Sequence, residues 1–275
     1  MKVIGITGGT GNLGKYFFKN YKNKYKFIFF KEDITKKRQV KNWINKNKFD
    51  LILHLAGIVA INDVNKSPKK AFDVNVNGTK NLINSIVDKK KKLHFIYLSS
   101  AQVYDFHKEK IKENFKLKPI SIYGKQKLLS ENYLKECVKK KEEIHLTILR
   151  VFSFTSLLQK KSFFIPAMFN KIKNNRGNFF ITEKLLQKRD FIHIKDLCRC
   201  IDFILSKKLY GTYNVGSGKS VPIYKVIDYF AKNFSKKIKY LDKYSKLKSK
   251  NLVPDITKLK KKGFKSKYSF NDILN

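Results

Sequence analysis

A tyrosine and a lysine four residues apart form a pair of side chains that could perform acid-base chemistry. Tyr123 and Lys127 lie in the run Tyr-Gly-Lys-Gln-Lys, which opens a predicted helix just after Lys118-Pro119. Residues four apart share a helix face, so both side chains can face one site. A phenol ordinarily ionises at about pH 10, and a neighbouring ammonium favours its phenolate form. The pair therefore predicts proton transfer by Tyr123 near neutral pH.

Two hydroxyls are predicted beside this pair. Ser99 and Ser100 follow the apolar run 93–98, which is typical of a buried strand. A hydroxyl at the carboxyl end of that strand could hold a substrate oxygen next to the phenol.

The first fourteen residues predict a binding site for a dinucleotide. An apolar strand leads into a glycine-rich turn and then a helix, and the glycines fit both G-x-G-x-x-G and G-x-x-G-x-x-G. Gly8 and Gly9 permit a tight turn, and Gly11 lets backbone amides approach a pyrophosphate. Gly14 allows the helix to pack closely on the strand. The helix N-terminus adds unpaired N–H groups and partial positive charge for phosphate oxygens.

Strand and helix signals alternate around these motifs. Strands are predicted at 26–30, 51–55, 93–98 and 145–151, and helices at 37–47, 71–87 and 123–140. This order predicts an α/β fold, a doubly wound parallel sheet of the Rossmann type, with ligands at the carboxyl ends of the strands. A helix at 163–174 and a strand at 213–215 follow. We expect a dinucleotide-binding domain at 1–153 plus about 189–217, and a small discontinuous substrate-binding lobe at about 154–188 and 218–275.

Composition excludes several other classes of protein. No segment of the 275 residues approaches the ~20 apolar residues of a membrane span, and the chain enters a strand at once, so we expect a cytoplasmic protein. The cysteines, Cys137, Cys198 and Cys200, suit neither a disulfide framework nor a metal site. The net charge of +40 comes from scattered lysines, which argues against specific binding of nucleic acid.

Taken together, the motifs resemble those of the extended short-chain dehydrogenases/reductases. That family also contains NAD-dependent nucleotide-sugar epimerases, dehydratases and 4-ketoreductases. The matching segments are 7–14, 54–57, 75–79, 98–104, 123–127 with Glu131, 149–150, 189–196 and 213–218.

The resemblance implies a role for each residue that could take part in the reaction. Ser100 would orient the reacting hydroxyl or ketone, and Tyr123 would transfer the proton. Lys127 would lower the phenol pKa and bind the nicotinamide ribose, while the nicotinamide carries the hydride. The residues implied on the cofactor side are Gly8, Gly11, Asn12, Leu13, Gly14, Lys31, Asp33, Ile34, Leu55, Ala56, Gly57, Asn75, Tyr123 and Lys127.

The same resemblance bears on the choice of dinucleotide. The pair Asp33-Ile34 matches an acidic-apolar pair that contacts the adenine in the family. Lys31 stands where an acid would select NAD through the 2′-hydroxyl, and a cation there could pair with the 2′-phosphate of NADP. NADP is therefore slightly favoured over NAD.

On the substrate side, the resemblance implies a nucleotide-diphosphate sugar. Arg189 matches an arginine that binds the diphosphate, a role suited to its planar fork of donors. Ser100, Gln102 and Ser153 are the other residues implied to bind the substrate. At the position of Ser153, many relatives have asparagine. Asp105 replaces a usual glycine. Homodimers formed through a helix pair are common among relatives, and no residue of this chain establishes one.

The resemblance leaves two reactions open and disfavours a third. Dehydratases of the family carry an Asp-Glu pair directly after the catalytic Ser or Thr, whereas this chain has Ala101-Gln102. A 4-ketoreductase acting on a 4-keto-6-deoxy sugar nucleotide and a 4-epimerase with tightly bound NAD both remain. The short chain and the short loop after the second strand favour the reductase. The segments 189–193 and 214–218 are more similar to the corresponding segments of the epimerases. A non-catalytic dinucleotide sensor is the third alternative, although it would not need both Tyr123 and Lys127.

Overall fold

The computed structural model describes residues 1–87, 92–139, 141–156, 159–175, 179–181, 187–240 and 251–274. It divides into two compact units. The first unit comprises Met1–Asp105, Lys116–Val151 and Cys198–Tyr213, and the second comprises Phe106–Phe115, Phe152–Leu197 and Asn214–Asn275. Parts of the predicted substrate lobe, at 157–158, 176–178, 182–186 and 241–250, lie outside the described residues. The predicted domain boundaries stay a prediction.

The strands follow the predicted order along the chain. They are β1 (Val3–Thr7), β2 (Lys26–Phe30), β3 (Leu51–His54), β4 (Leu93–Ser100), β5 (Ile144–Val151), β6 (Ser153–Thr155), β7 (Phe179–Ile181), β8 (Lys188–Arg189), β9 (Phe191–His193), β10 (Gly211–Val215), β11 (Val221–Pro222) and β12 (Ile238–Tyr240).

Most of the helices lie between these strands, and α10 and α11 follow the last strand. They are α1 (Asn12–Tyr21), α2 (Lys37–Lys46), α3 (Ile61–Lys66), α4 (Pro68–Phe72), α5 (Gly78–Val87), α6 (Ile122–Val138), α7 (Phe164–Lys173), α8 (Ile194–Lys207), α9 (Ile223–Asn233), α10 (Thr257–Lys261) and α11 (Asn271–Leu274). A π-helical turn at Asp73–Asn77 and a 3₁₀ turn at Ala101–Val103 complete the set in the described residues.

The first unit is built on a parallel sheet. Among the described residues its strand order is β10-β5-β4-β3-β1-β2, with helices flanking the sheet. This order confirms the predicted α/β, Rossmann-like class. Thr7 pairs with His54 between β1 and β3, and Ser100 pairs with Val151 between β4 and β5. Because parallel strands end at one edge, the register places the glycine turn and Ser100 along the same edge of the sheet.

Apolar spacing explains how the helices attach to this sheet. In α2 the buried positions are Val40, Trp43 and Ile44, which recur at the spacing of one helix face. They join a core with residues such as Ile52 and Phe95 from the sheet. The sheet edge is therefore supported by a continuous apolar layer.

The segment 71–87 departs from the predicted continuous helix at one point. A π-helical turn separates α4 from α5. Within it the Asn75 carbonyl accepts hydrogen bonds from the Thr79 hydroxyl at 2.7 Å and the Ser130 hydroxyl at 2.9 Å. These side-chain donors satisfy a carbonyl inside the turn, and such turns are frequent at functional sites.

The second unit has short paired strands and its own apolar cluster. β6 pairs with β9 in parallel, and β11 pairs with β8 in antiparallel fashion. Its cluster of buried residues comprises Ile165, Ile172, Phe191, Val221, Val226, Ile227 and Phe230. In the part of the chain that the structure describes, none of the helices has the length and apolar character that crossing a bilayer requires.

Candidate active site

The glycine turn between β1 and α1 has the geometry of a phosphate cradle. Gly8 adopts φ +74°, and a Cβ added there would lie 2.5 Å from the Ala56 amide nitrogen. A Cβ at Gly14 would lie 2.7 Å from Gly9 Cα, so α1 packs directly on the turn. Gly11 precedes α1, which has no side-chain cap and no acidic residue in its first turn. The first amides of α1, at Asn12 and Leu13, therefore offer a site for an anion.

The ends of β3 and the π-helical turn continue this cradle. Leu55 donates its amide to the Thr7 carbonyl at 3.1 Å, and Ala56 lies against Gly8. A Cβ added at Gly57 would lie 3.0 Å from Asn75 Oδ1 and 3.9 Å from Lys127 Nζ. The structure thus brings this stretch of predicted cofactor residues together with Lys127.

The Asn75 side chain is held by several hydrogen bonds. Its Oδ1 accepts from the Ile58 amide at 2.8 Å. Its Nδ2 donates to the Ile58 carbonyl and to Gln126 Oε1, each at 2.9 Å. The buried amide is therefore fixed in one orientation beside α6.

Tyr123 and Lys127 occupy the first turns of α6 and are both buried. The Tyr123 ring packs in an apolar cluster with Val64 and Ala71. Lys127 donates from Nζ to the Leu98 carbonyl at 2.8 Å, and its ammonium lies 5.9 Å from the centre of the Tyr123 ring. The two side chains therefore lie near each other in the first unit, beside the end of β4.

Ser100 stands at the end of β4 beside the phenol. Its Oγ accepts a hydrogen bond from the Gln102 amide at 3.2 Å, and its side chain is hydrogen-bonded to Tyr123. Ser100, Tyr123 and Lys127 are thus assembled in the first unit.

The remaining contacts of Gln102 hold the start of α6. Its side-chain oxygen accepts from the Ser121 hydroxyl, and Ser121 caps α6 by accepting from the Gly124 amide, both at 3.0 Å. A Cβ at Gly124 would lie only 2.1 Å from the Gln102 carbonyl oxygen. Gln102, predicted as a substrate contact, thus also positions the helix that carries Tyr123.

The direction of the Tyr123 pKa differs from the sequence-based expectation. Lys127 was predicted to lower it, whereas in the structure burial raises the pKa of the phenol and the hydrogen bond to Ser100 only partly opposes that change. Burial disfavours the charged phenolate more strongly than the Ser100 hydrogen bond favours it. Tyr123 in the cofactor-free protein is therefore a protonated acid.

Burial also acts on Lys127. It lowers the pKa of the ammonium from 10.5 to about 7, and the negative charge of Glu131 acts in the opposite direction. Lys127 therefore changes protonation near neutral pH, so that a bound ligand can alter its charge.

Replacing Lys127 with methionine is expected to stabilise the cofactor-free protein, and more so at pH 6 than at pH 9. Because the folded pKa of about 7 lies below the ordinary 10.5, the unfolded wild-type chain binds more protons between these values. Wild-type stability therefore rises with pH across that window, and the burial penalty, on the order of a few kcal/mol, is complete below pH 7. Urea unfolding at both pH values measures the difference. Lys125→Met, at an exposed position of α6, is the control, and a gain that does not vary with pH would contradict the expectation.

The predicted adenine-side residues line or adjoin a cavity of the first unit. A cavity of about 550 Å³ is lined by residues that include Asp33, Thr35, Lys70 and Asp73. Asp33 Oδ1 accepts from the Thr35 amide and hydroxyl at 2.9 and 2.8 Å. Ile34 is buried against Gly78, and Lys31 is exposed at the end of β2.

The predicted diphosphate residue lies in the second unit. Arg189 donates from Nη2 to Gln187 Oε1 at 3.2 Å, and its guanidinium lies over the Phe106 ring at 4.9 Å. Its buried Nη1 has no hydrogen-bond partner among the described residues, and burial lowers its pKa to about 10. A guanidinium with a buried, unused donor suits an anion. Ser153 is exposed on β6 in the same unit.

A buried charged network was not predicted from the sequence. Glu131 and Arg150 form an ion pair at 2.7 Å, with Ser99 and Tyr104 as further partners. Because Glu131 follows Lys127 by four residues, the sequence could have placed it on the same helix face. Its partner Arg150 could not be predicted, because it is on a strand distant in sequence.

The residues of the first unit fit a nicotinamide dinucleotide. The glycine turn leaves no room for a Cβ at Gly8 or Gly14, and the start of α1 has no side-chain cap. The strand-end residues and Asn75 connect this cradle to Lys127 and Tyr123, which would hold the nicotinamide ribose.

Comparisons with known proteins agree with this geometry. The sequence model of the NAD dependent epimerase/dehydratase family matches residues 4–216. A GDP-6-deoxy-D-talose 4-dehydrogenase from Aggregatibacter actinomycetemcomitans is 29% identical over 237 residues, which cover 82% of this chain and 78% of that protein.

Two further similar proteins match this chain with lower sequence identity or lower coverage. A bifunctional UDP-glucose 4-epimerase and UDP-xylose 4-epimerase from Pisum sativum is 27% identical over 230 residues, or 75% of this chain and 65% of that protein, so the chain spans just under two thirds of its length. The solved structure of RMD from Pseudomonas aeruginosa complexed with NADPH has a TM-score of 0.88 at 20% identity, covering 100% of this chain and 96% of that one. At this identity the likeness concerns the fold.

Proposed function

Because the chain belongs to the NAD dependent epimerase/dehydratase family and is an NAD(P)-dependent enzyme, we propose that it reduces a 4-keto-6-deoxy sugar nucleotide at C4. The observation that carries the proposal is the assembly of the half-buried Ser100 with the buried Tyr123 and Lys127 beside the glycine cradle. A bound reduced nicotinamide supplies the hydride.

The residues of the chain would handle the proton. Tyr123, protonated in its buried position, donates to the C4 oxygen as the ketone becomes an alcohol. Ser100 donates a hydrogen bond to the same oxygen and holds it beside the phenol. Lys127, held by the Leu98 carbonyl, binds the ribose and supplies positive charge as the phenolate forms.

Two observations support reduction over other reactions of the family. The 3₁₀ turn after Ser100 begins Ala101-Gln102, so neither position offers a carboxyl group for elimination of water. The relative from Aggregatibacter is named for dehydrogenation at C4 of a GDP-6-deoxy sugar, and ketone reduction is the reverse of such a reaction.

A 4-epimerase is the second candidate. UDP-glucose 4-epimerases from Pisum sativum and Mycoplasma genitalium are 27% and 26% identical to this chain. An epimerase would retain its dinucleotide and turn over without added cofactor.

An assay with purified protein separates the two candidates. We expect a GDP-4-keto-6-deoxyhexose to cause oxidation of added NADPH or NADH in a one-to-one ratio. Interconversion of UDP-glucose and UDP-galactose without added cofactor, together with no oxidation of NAD(P)H, would replace this proposal with the epimerase.

Replacing Arg189 with alanine is expected to raise the KM for the sugar nucleotide roughly 10- to 100-fold, because a charge-assisted contact to the diphosphate is lost. The Kd of the cofactor should not change. Arg189→Lys retains the charge without the forked donors and should recover only part of the loss. Lys188→Ala, at the exposed neighbouring position of β8, is the control. Equal KM values for wild type and Arg189→Ala would remove Arg189 from the substrate site.

We also propose that Lys31 makes NADP the preferred dinucleotide. Lys31→Ala should raise the KM for NADPH roughly tenfold and leave the KM for NADH unchanged, since only NADPH carries the 2′-phosphate. Steady-state kinetics with both cofactors measure this, with Lys41→Ala, exposed on α2, as the control. A parallel change in both KM values would contradict the assignment.

A further inference from the structure

A buried ion pair lies one helical turn beyond Lys127. Arg150 donates from Nε to both carboxylate oxygens of Glu131, each at 3.1 Å. It also donates from Nη2 to Glu131 Oε2 at 2.7 Å. Glu131 is 0% and Arg150 2% exposed, so the pair is removed from solvent. Two fully buried charges are costly to desolvate, and their attraction often only balances that cost. Stability alone is therefore a weak reason for the pair.

The hydrogen bonds of this pair lead directly to the proposed catalytic residues. Ser99, the neighbour of Ser100, donates to Glu131 Oε1 at 2.5 Å. Arg150 donates from Nη1 to the Tyr104 hydroxyl at 2.7 Å, at the end of the turn that follows Ser100. Ser99 and Arg150 are also partners in the register of β4 and β5. The pair thus joins α6, β4, β5 and the 3₁₀ turn at one point.

Glu131 lies on the same face of α6 as the proposed catalytic residues. Tyr123, Lys127 and Glu131 follow one another at intervals of four residues along α6. Any rotation or sliding of α6 against β4 would separate Tyr123 from Ser100 and Lys127 from the Leu98 carbonyl. The bidentate contact, with its defined direction, opposes both movements.

We propose that Glu131 and Arg150 are a positioning pair, which holds Lys127 and Ser100 in their proton-transfer arrangement by tying α6 to the ends of β4 and β5. This inference rests on the proposed function, because it concerns the same site. The two residues act through Lys127 and Ser100.

Glu131 also contributes charge to the surroundings of Lys127. The titratable groups that face Lys127 are Tyr123 and Glu131 on α6, Tyr97 on β4 and His54 on β3. Glu131 raises the pKa of Lys127 against the effect of burial. Loss of its charge should therefore move the titration of Lys127 to lower pH.

The test uses a charge-free replacement of the whole pair. Glu131→Leu combined with Arg150→Met removes both charges together, which avoids leaving one buried charge unpaired. Tyr104→Phe removes the hydroxyl that accepts from Arg150 Nη1 but leaves the ion pair in place, and is a milder second variant. Lys135→Ala is the matched control, since it removes an exposed cation 3.8 Å from the same carboxylate.

Two readouts apply to each variant. Steady-state kinetics give kcat and KM, and competitive acetylation of the cofactor-free protein, analysed by peptide mass spectrometry, gives the pH midpoint for Lys127. The double variant should lose roughly 10- to 100-fold in kcat with KM nearly unchanged, and its Lys127 midpoint should fall. Tyr104→Phe should lower kcat severalfold, and Lys135→Ala should match wild type in both readouts.

Wild-type kcat and an unchanged Lys127 midpoint in the folded double variant would overturn the proposal. If that variant does not fold, a wild-type kcat for Tyr104→Phe overturns it. An equal loss in Lys135→Ala would do the same, since the effect would then come from surface charge. Absence of turnover by the wild-type protein on every sugar nucleotide tested would instead refute the proposed function, and the Lys127 midpoint would still test the pair.

Discussion

Replacing Tyr123 with phenylalanine is expected to lower kcat by roughly 10²- to 10⁴-fold, the usual contribution of a general acid. The ring would still pack against Val64 and Ala71, so the fold and the cofactor site should be retained. Stopped-flow or steady-state kinetics with the sugar nucleotide measure kcat, and quenching of protein fluorescence measures the Kd of NAD(P)H. That Kd should stay within about twofold of wild type, because the lost hydroxyl is a small part of the cofactor contacts.

The matched control is Tyr133→Phe on the same helix. The Tyr133 hydroxyl donates to Asn84 Oδ1 at 2.9 Å, away from Lys127, and its loss should leave kcat unchanged. A Tyr123→Phe protein with wild-type turnover would contradict the assignment of the acid. Retained cofactor binding with no turnover in either the wild type or the variant would favour a dinucleotide sensor.

Replacing Gly124 with alanine is expected to reduce both stability and kcat. Alanine is favoured over glycine by about 1 kcal/mol in an exposed helix interior, so the change would ordinarily stabilise α6. Here the added Cβ would lie 2.1 Å from the Gln102 carbonyl oxygen, a backbone atom that a side-chain rotation cannot move. The start of α6 must shift, which should cost about 1–3 kcal/mol as overpacking. The accompanying displacement of Tyr123 should lower kcat on the order of 100-fold.

Chemical denaturation and steady-state kinetics measure these two effects. Lys125→Ala, at the exposed next position of the helix, is the control and should be as stable as wild type or slightly more so. A Gly124→Ala protein with higher stability and unchanged kcat would show that α6 accepts the side chain without moving Tyr123.

The parts of the fold that follow from local sequence were predicted well. The glycine turn, the alternation of strands and helices and the shared face of Tyr123 and Lys127 depend on spacing along the chain. The parallel sheet and its Rossmann-like class followed from the same patterns and are confirmed.

Features that depend on distant parts of the chain were not predicted. Glu131 meets Arg150 only because β5 pairs with β4, and Gly124 is required only because Gln102 returns to the start of α6. The π-helical turn arises where Ser130 of a later helix donates to the Asn75 carbonyl. Spacing within a short window carries no information about such contacts.

The protonation of Tyr123 shows the same limit. A neighbouring lysine is visible in the sequence, whereas the burial that raises the phenol pKa is a property of the folded unit. The roles of the site residues, the domain boundaries and the preference for NADP stay predictions, which the variants described above test.

Transfer of a hydrogen isotope to the sugar tests the central claim most directly. The protein would be incubated with a GDP-4-keto-6-deoxyhexose and NADPH deuterated at C4 of the nicotinamide, on the face from which hydrogen is transferred. Mass spectrometry and NMR of the product should find one deuterium at C4 of the sugar for each NADP⁺ formed, and Tyr123→Phe should slow both by the same factor as its loss of kcat. An unlabelled product, or interconversion of sugar nucleotides without net oxidation of NADPH, would contradict the account.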